Sequence, residues 1–289
     1  MTNILHRSVT LRDTWLGKLE KPALLQCFFF CCAILSCLAP AASEASEKIA
    51  IYFYSSETNI NNFKSLKTGF DSYLSKFGPY EFQPFSDRET FEQHIRNKEK
   101  CLLILSSWHY SKIYKTYALA PSLIGMRNGK DYQKRILVTS TKFADMKHTE
   151  KGPVASASNI PHTRSVLKEM FENKAVAESV MILKVPKDVD ALMSVGFDMS
   201  KAALITENAF NNLKMLDPEL HGKMKMLVEG KESLLQVLAV PQAFQNEANA
   251  LIQIIKKMPD DSDGMNLIKM FDLDSWKKAD SSDNSKLEG

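Results

Sequence analysis

The chain has 289 residues, 44% of them hydrophobic and 25% charged, and its 37 Lys and Arg against 34 Asp and Glu give a formal net charge of +3. That near balance supplies no electrostatic footprint for nucleic acid. The length is enough for two domains of ordinary size. No internal repeat or low-complexity segment is present, so the organisation is read from hydrophobic periodicity.

The first 22 residues are polar and carry Arg7, Arg12, Lys18 and Lys21. Ala23 to Leu38 then reads ALLQCFFFCCAILSCL, followed by the small residues Ala39, Pro40, Ala41 and Ala42. A basic flank, an apolar core and a small-residue exit predict a secretory signal peptide over residues 1–42. The apolar run is shorter than the roughly 20 residues of a membrane-spanning helix. Two processing sites are open. Cleavage after Ala39-Pro40-Ala41 leaves a soluble protein, whereas Ile34-Leu35-Ser36-Cys37 reads as a lipoprotein site that leaves Cys37 acylated. Cys27, Cys31, Cys32 and Cys37 all lie in this leader, which leaves Cys101 in the body. One thiol forms no internal disulfide. Standing before Leu102-Leu103-Ile104-Leu105, Cys101 is expected to be a buried small hydrophobe.

Lys48–Tyr54 is a β-branched and aromatic run and predicts a buried first strand. From Asn62 to Phe77, Phe63, Leu66, Phe70, Tyr73 and Leu74 recur at helical spacing until Gly78-Pro79 ends the helix. A strand follows at Glu81–Phe85. Ser86 or Asp87 caps a helix carrying Phe91 and Ile95, and Cys101–Leu105 is a third strand. This β-α-β-α-β order implies parallel strands with crossover helices. Ser107–Tyr117 is expected to be helical. Ser122–Arg127 and Arg135–Thr139 read as strands about the turn Asn128-Gly129-Lys130.

Further strands are predicted at Val154–Ser156, Ser179–Val185 and Ala202–Ile205. Helices over Thr163–Phe171, Val189–Val195 and Asn208–Leu216 separate them. Lys223–Val228 and Leu234–Val240 are two more strands, and helices at Gln242–Lys257 and Gly264–Phe271 follow. Residues 279–289 read as a disordered, solvated tail. The whole is an α/β chain of two lobes, each a mixed, mostly parallel sheet flanked by helices and joined by hinge strands. Lobe 1 is expected to comprise residues 48–139 and 241–278, and lobe 2 residues 140–240.

Four passages carry a family resemblance. The first is the opening strand and its helix, ending Leu74-Ser75-Lys76-Phe77-Gly78. The second is Leu105-Ser106-Ser107-Trp108-His109-Tyr110. Arg127-Asn128-Gly129-Lys130-Asp131-Tyr132 is the third, and the run from Asp260 through Gly264 to Phe271 is the fourth. Together they resemble the phosphate/phosphite/phosphonate-binding family of ABC-transporter periplasmic solute-binding proteins, which has the type II periplasmic binding fold. The resemblance implies a periplasmic monomer without cofactor that takes a small-molecule solute and serves an ABC permease in the inner membrane.

Loops at the carboxyl ends of parallel strands face a crevice in open α/β sheets, and helices starting there aim N–H groups into it. Ser107 stands at one such junction, followed by Trp108, His109 and Tyr110, the last matching the family's cleft tyrosine. Ser156, Ser158, Asn159 and Thr163 stand at a second, with Pro161 suited to a first helical turn. The same residue types serve as plain N-caps. Departures from the family pattern are also visible. Ser-Ala-Ser-Asn-Ile replaces its Ser-Thr-Ser-Gly loop, Arg88 stands where a tyrosine is usual, and Lys187-Asp188-Val189 replaces a stretch with His. An acidic residue is displaced to Glu207. Arg88 and Glu207 complete the candidate set of ligand-binding residues.

No G-x-S-x-G elbow, P-loop, G-x-G-x-x-G or H-E-x-x-H motif occurs, and the six histidines are scattered. The sequence is therefore read as a binding protein and not an enzyme, closing two lobes around a phosphate, phosphite or phosphonate-like anion. Two alternatives stay open: a larger, more apolar solute such as a lipid, or a sensor or interaction module without transport duty.

Overall fold

The computed structural model describes residues 48–57, 62–143, 145–149 and 151–288. The signal peptide and both processing sites expected from the sequence lie outside the described residues.

Strand β1 (Ile49–Tyr54) is buried along almost its whole length. Helix α1 (Phe63–Leu74) starts where the Asn62 side chain accepts the Ser65 N–H at 3.0 Å, and it buries Leu66, Phe70, Tyr73 and Leu74. Then come β2 (Tyr80–Pro84), α2 (Arg88–Ile95), β3 (Cys101–Ser106), α3 (Ser107–Ile113), β4 (Leu119–Met126) and β5 (Tyr132–Ser140). The next segment holds α4 (Met146–Thr149), β6 (Val154–Ser156), α5 (Ile160–Met170), α6 (Lys174–Ser179) and β7 (Ile182–Lys184). After these stand α7 (Asp188–Gly196), β8 (Ala202–Thr206), α8 (Glu207–Leu216), α9 (Pro218–Gly222), β9 (Met224–Leu234) and β10 (Gln236–Pro241). Helices α10 (Asn249–Lys257) and α11 (Ser262–Lys269), strand β11 (Ser275–Lys278) and helix α12 (Ser281–Glu288) complete the chain.

The strands form two sheets. The first has the order β11-β4-β10-β3-β1-β2, with β1 parallel to β2 and β3, and with β10 and β11 antiparallel to their neighbours. The second has the order β7-β6-β8-β5-β9, in which β6 runs parallel to β7 and β8 while β5 runs antiparallel to β8 and β9. The parallel β1–β3 unit read from the sequence is present. Along β1 the side chains alternate: Ile51 and Phe53 enter one hydrophobic cluster, Tyr52 and Tyr54 another on the opposite face. Cys101 lies in the second cluster, where burial pushes its thiol up to about 12 and keeps it protonated and unreactive. The second sheet is covered on both faces in the same manner, Ala203 and Ile205 of β8 on one side, Ala202 and Leu204 on the other.

The chain leaves the first sheet through Arg127 to Lys130. Asn128 and Gly129 adopt φ of 51° and 74° there, and Arg127 and Lys130 exchange backbone hydrogen bonds of 2.8 and 3.0 Å. This is the Asn-Gly turn chemistry of a tight hairpin. The return is made at Leu235, between β9 and β10. The two crossings are neighbours: Tyr132 pairs with Leu234, and the Leu235 N–H donates to the Asp131 carbonyl at 2.9 Å.

Three expectations are corrected. Residues 132–139, assigned above to lobe 1, belong to the second sheet as β5, and residues 236–240, assigned to lobe 2, belong to the first as β10. The return crossing carries no turn residue, so the apolar run Leu234–Val240 reads as uninterrupted when it is not. The strand expected over Ser179–Val185 shrinks to β7, because Lys174–Ser179 is helical. Arg164 Nη1 donates to the Ala177 and Val180 carbonyls at 3.0 and 3.3 Å and so completes that helix end. The tail expected to be solvated is helix α12. Its Asp283 is fully buried and accepts Lys277 Nζ at 2.9 Å, and Leu287 is buried in the core beside α3. Lys277 also reaches Asp131 at 2.7 Å, so α12 is tied to the outgoing crossing.

Candidate functional site

The carboxyl ends of β1 and β3 and the starts of α3 and α5 meet where the two lobes face each other. Strand β3 ends at Ser106, whose hydroxyl accepts the His109 N–H at 3.3 Å and caps α3. Ser107 is buried and donates to the Leu234 carbonyl at 2.6 Å, which ties α3 to the last residue of β9. Trp108 crosses the gap, its ring 5.2 Å from that of His162 on α5.

His109 is fully buried, and its Nε2 lies 2.9 Å from Glu92 Oε1. Burial lowers the His109 pKa against the opposing pull of Glu92, so the imidazole is neutral and donates from Nε2. That bond, with a further contribution from Arg88, lowers Glu92 to about 2. Tyr110 is also fully buried. Its hydroxyl donates to the Leu119 carbonyl at 3.2 Å, and its ring stacks on Tyr114 at 5.4 Å. Arg88 bonds Glu92 at 2.5 Å, with its guanidinium 5.6 Å from the Trp108 ring centre.

In the second lobe, Asn159 caps α5 by accepting the His162 N–H at 2.8 Å, with Pro161 in the first turn. Its other contacts run across to lobe 1: Nδ2 donates to Tyr54 Oη at 2.9 Å, and the backbone N–H donates to the Ser56 carbonyl at 2.9 Å. Ser158 Oγ donates to the Glu57 carbonyl at 3.2 Å. Thr163 Oγ1 donates to Ser156 Oγ at 3.1 Å. Ser156, Ser158 and Thr163 are wholly buried.

Two buried charged residues meet at the interface, Glu57 and Arg135. Glu57 belongs to the polar segment after β1 and is 6% exposed; Arg135 projects from β5 and is 4% exposed. Arg135 Nη2 donates to both the carbonyl and the Oε2 of Glu57, each at 3.3 Å. Gln133 Nε2 bonds the same carboxylate oxygen. Asp188, at the start of α7, lies 3.7 Å from Arg135 Nη1 and accepts the Thr206 N–H and hydroxyl, both at 2.8 Å. Among the described residues, Arg135 Nε and Nη1 and Glu57 Oε1 have no hydrogen-bond partner. His162 is 4% exposed, and burial together with the Arg135 charge holds its pKa well below the usual value.

A cavity of about 400 Å³ opens between the lobes. Ser107 and Trp108 line it from lobe 1, His162, Val166 and Glu169 from α5, and Tyr132, Arg135 and residues 230–234 from the strands at the crossings. Lys286 of α12 contributes as well. A second cavity of about 60 Å³ is lined by Glu57, Gln133, Arg135, Asp188 and Thr206 among others.

Of the residues read from the sequence, Ser107 and Trp108 line the larger cavity. Ser156, Ser158, Asn159 and Thr163 gather at the lobe interface, where their side-chain bonds go to protein partners. His109, Tyr110 and Arg88 do not line the cavity, and Tyr110 is a core residue because its ring fills the space between α3 and β4. Glu207 opens α8 and lines a separate cavity of about 110 Å³ with Arg127, Lys130 and Lys134. Sequence reasoning missed Glu57, Gln133 and Arg135 and passed over His162. Arg135 follows Lys134 at the head of the apolar strand run Ile136-Leu137-Val138, so nothing in the sequence separates it from an ordinary strand-end cation. Among the described residues, no group of three or more His, Cys, Asp or Glu is placed to hold a metal ion.

No protein-family model and no curated protein matches the chain. Solved structures do. XAC2383 from Xanthomonas citri, bound to ATP, has a TM-score of 0.64 at 11% identity, covering 84% of this chain and 95% of that one. The binding protein component of an ABC phosphonate transporter from Pseudomonas aeruginosa, PA3383, has a TM-score of 0.62 at 11% identity, covering 82% and 83%. PhnD1 from Prochlorococcus marinus, in complex with methylphosphonate, has a TM-score of 0.58 at 12% identity, covering 83% and 95%. At such identities the likeness carries the architecture and not the ligand. With two mixed sheets, paired crossings and a cavity between them, the chain has the type II periplasmic binding protein fold.

Proposed function

We propose that the chain is an extracytoplasmic receptor that closes its two lobes around a small anionic solute of the phosphate, phosphite or phosphonate class. In this reading it works as a monomer in the periplasm, soluble or anchored through Cys37, and presents its cargo to an ABC permease of the inner membrane. The observation that carries it is the cavity of about 400 Å³ walled by both lobes, with the buried guanidinium of Arg135 in its lining. A guanidinium offers a planar fork matched to an oxyanion, and each charge-assisted hydrogen bond is worth about 1.5–3 kcal/mol. Paired crossings provide the hinge that such closure needs. Of the similar solved structures, one is the binding component of an ABC phosphonate transporter and another is in complex with methylphosphonate, which supports the solute class.

The size and lining of the cavity favour a second reading, an organic solute with an anionic group. Ligand pockets of about 300–1,000 Å³ hold drug-sized molecules, and Trp108, Tyr132 and Val166 offer apolar surface beside Arg135. The similar protein bound to ATP fits that wider class. A thermal-shift and calorimetric titration with inorganic phosphate, methylphosphonate and an organic phosphate monoester tests both. A solute that binds only the folded protein stabilises it by about 2.7 kcal/mol at one hundred times its Kd. Should none of the three raise the midpoint, the anionic-solute reading is wrong.

A further inference from the structure

The anion-binding groups between the lobes are already engaged by a carboxylate of the protein itself. Glu57 stands in lobe 1, yet Gln133, Arg135 and Ser158, which hold it, all belong to lobe 2. A carboxylate is a planar oxyanion that a guanidinium and an amide N–H recognise, and Arg135 and Gln133 reach it here, while the Ser158 hydroxyl holds the Glu57 backbone carbonyl. Its neighbour Ser56 accepts the Asn159 N–H at 2.9 Å, so the segment after β1 meets the start of α5 with its backbone as well. Asp188 approaches the other side of Arg135 at 3.7 Å. Two carboxylates thus face one guanidinium, and a third anion brought to Arg135 meets uncompensated repulsion unless Glu57 withdraws.

We infer that Glu57 is an internal ligand: its carboxylate occupies the place of a solute anion at Arg135 and latches the lobes shut without cargo. This rests on the reading that Arg135 receives the solute's anionic group. Solute and Glu57 then exclude each other, and the affinity of the receptor is set by the difference between two anions and not by one alone. Only a solute offering more than a single carboxylate, through a second negative charge or added contact with Trp108 and His162, displaces the latch. Glu57 is thereby a determinant of specificity.

The test compares the full mature chain with its Glu57→Ala and Glu57→Gln variants by small-angle scattering without solute and by calorimetry with methylphosphonate and inorganic phosphate. Glu57→Ala is expected to enlarge the radius of gyration of the solute-free protein and to tighten methylphosphonate binding by about tenfold or more, equivalent to 1.4 kcal/mol. Glu57→Gln keeps shape and bonding reach while removing the charge, so it is expected to move both readouts in the same direction by less. Should Glu57→Ala lose its cooperative melt, the Gln variant decides. Solute-free scattering identical to the wild type in a folded variant overturns the latch, as does wild-type affinity equal to that of the variants. If the variant opens but neither protein binds either anion, the latch stands and the phosphate-class reading of the solute falls.

Discussion

Arg135 Nη2 lies 3.3 Å from both the carbonyl oxygen and the carboxylate Oε2 of Glu57, so one nitrogen joins the second sheet to the segment leaving the first strand of the other. A buried pair of this kind adds little net stability against its desolvation, whereas removing one member strands the other. Its effect is therefore on the position of the lobes and on what Arg135 is free to hold.

If Arg135 also receives the solute, charge alone will not suffice. Arg135→Lys keeps the cation but loses the planar fork. The expected outcome is a fall in affinity of about tenfold or more, roughly 1.4 kcal/mol, for whichever anion the wild type binds. Calorimetry reads it directly, and an unchanged Kd would remove Arg135 from the solute contact.

The interface is expected to weaken on acidification. His162 has a folded pKa well below 6.5 through burial and the Arg135 charge, and His109 is lowered in the same direction by burial. For a base whose pKa falls on folding, the unfolded chain binds more protons below 6.5. The stability contributed by the neutral form is then complete above that value and lost as pH drops beneath it. The limiting slope is about 1.4 kcal/mol per pH unit per group. His162→Gln should flatten urea-unfolding free energies between pH 6.5 and 5, and an unchanged slope there would show that His162 does not titrate on unfolding. Glu92, lowered to about 2 by His109 and Arg88, has the same sign at lower pH, losing its contribution as pH falls from 4.5 toward 2.

Tyr110→Phe separates core from cavity. Removing the hydroxyl that bonds the Leu119 carbonyl should cost about 1 kcal/mol of unfolding free energy, with solute affinity unchanged. A lower affinity at unaltered stability would return Tyr110 to the binding site.

Helix α12 is expected to matter to both lobes. Asp283→Ala takes a buried carboxylate from Lys277, though Asp131 still holds that ammonium at 2.7 Å. The loss is expected at about 1–3 kcal/mol. Deleting residues 281–289 would add the burial of Leu287 to that figure and expose the cavity beside Lys286, and denaturant titration of both variants measures the difference.

The sheets were legible because β1, β3 and β8 are short apolar runs and α1 repeats Leu66, Phe70 and Leu74 at helical spacing. The turn at Asn128 and Gly129 was legible, since both admit the positive φ it demands, but not that the chain changes sheets there. The return at Leu235 was not, since a strand passing between sheets needs no special residue when its neighbour supplies the bend. Ser107 and Trp108, singled out by their place after β3, line the larger cavity. Glu57 and Arg135 were missed because each is unremarkable alone. They are 78 positions apart, and only the fold makes them a pair. Tyr110 lies in the core, a placement the sequence does not fix, because a residue after a strand end can turn either to the crevice or to the core, and that choice depends on the strand packed beside it.

The adjacent crossings have a mechanical consequence. Tyr132 and Leu234 are paired in one ladder, and Asp131 is bonded both to the Leu235 amide and to Lys277. Sliding one lobe past the other would have to break this knot of bonds, whereas a pivot about it leaves them intact. The lobes therefore share one axle, and displacement grows with distance from it. Trp108 and His162, facing each other across the gap, form a pair whose separation follows that angle, so a change in the surroundings of the indole would report the angular travel of the lobes in solution.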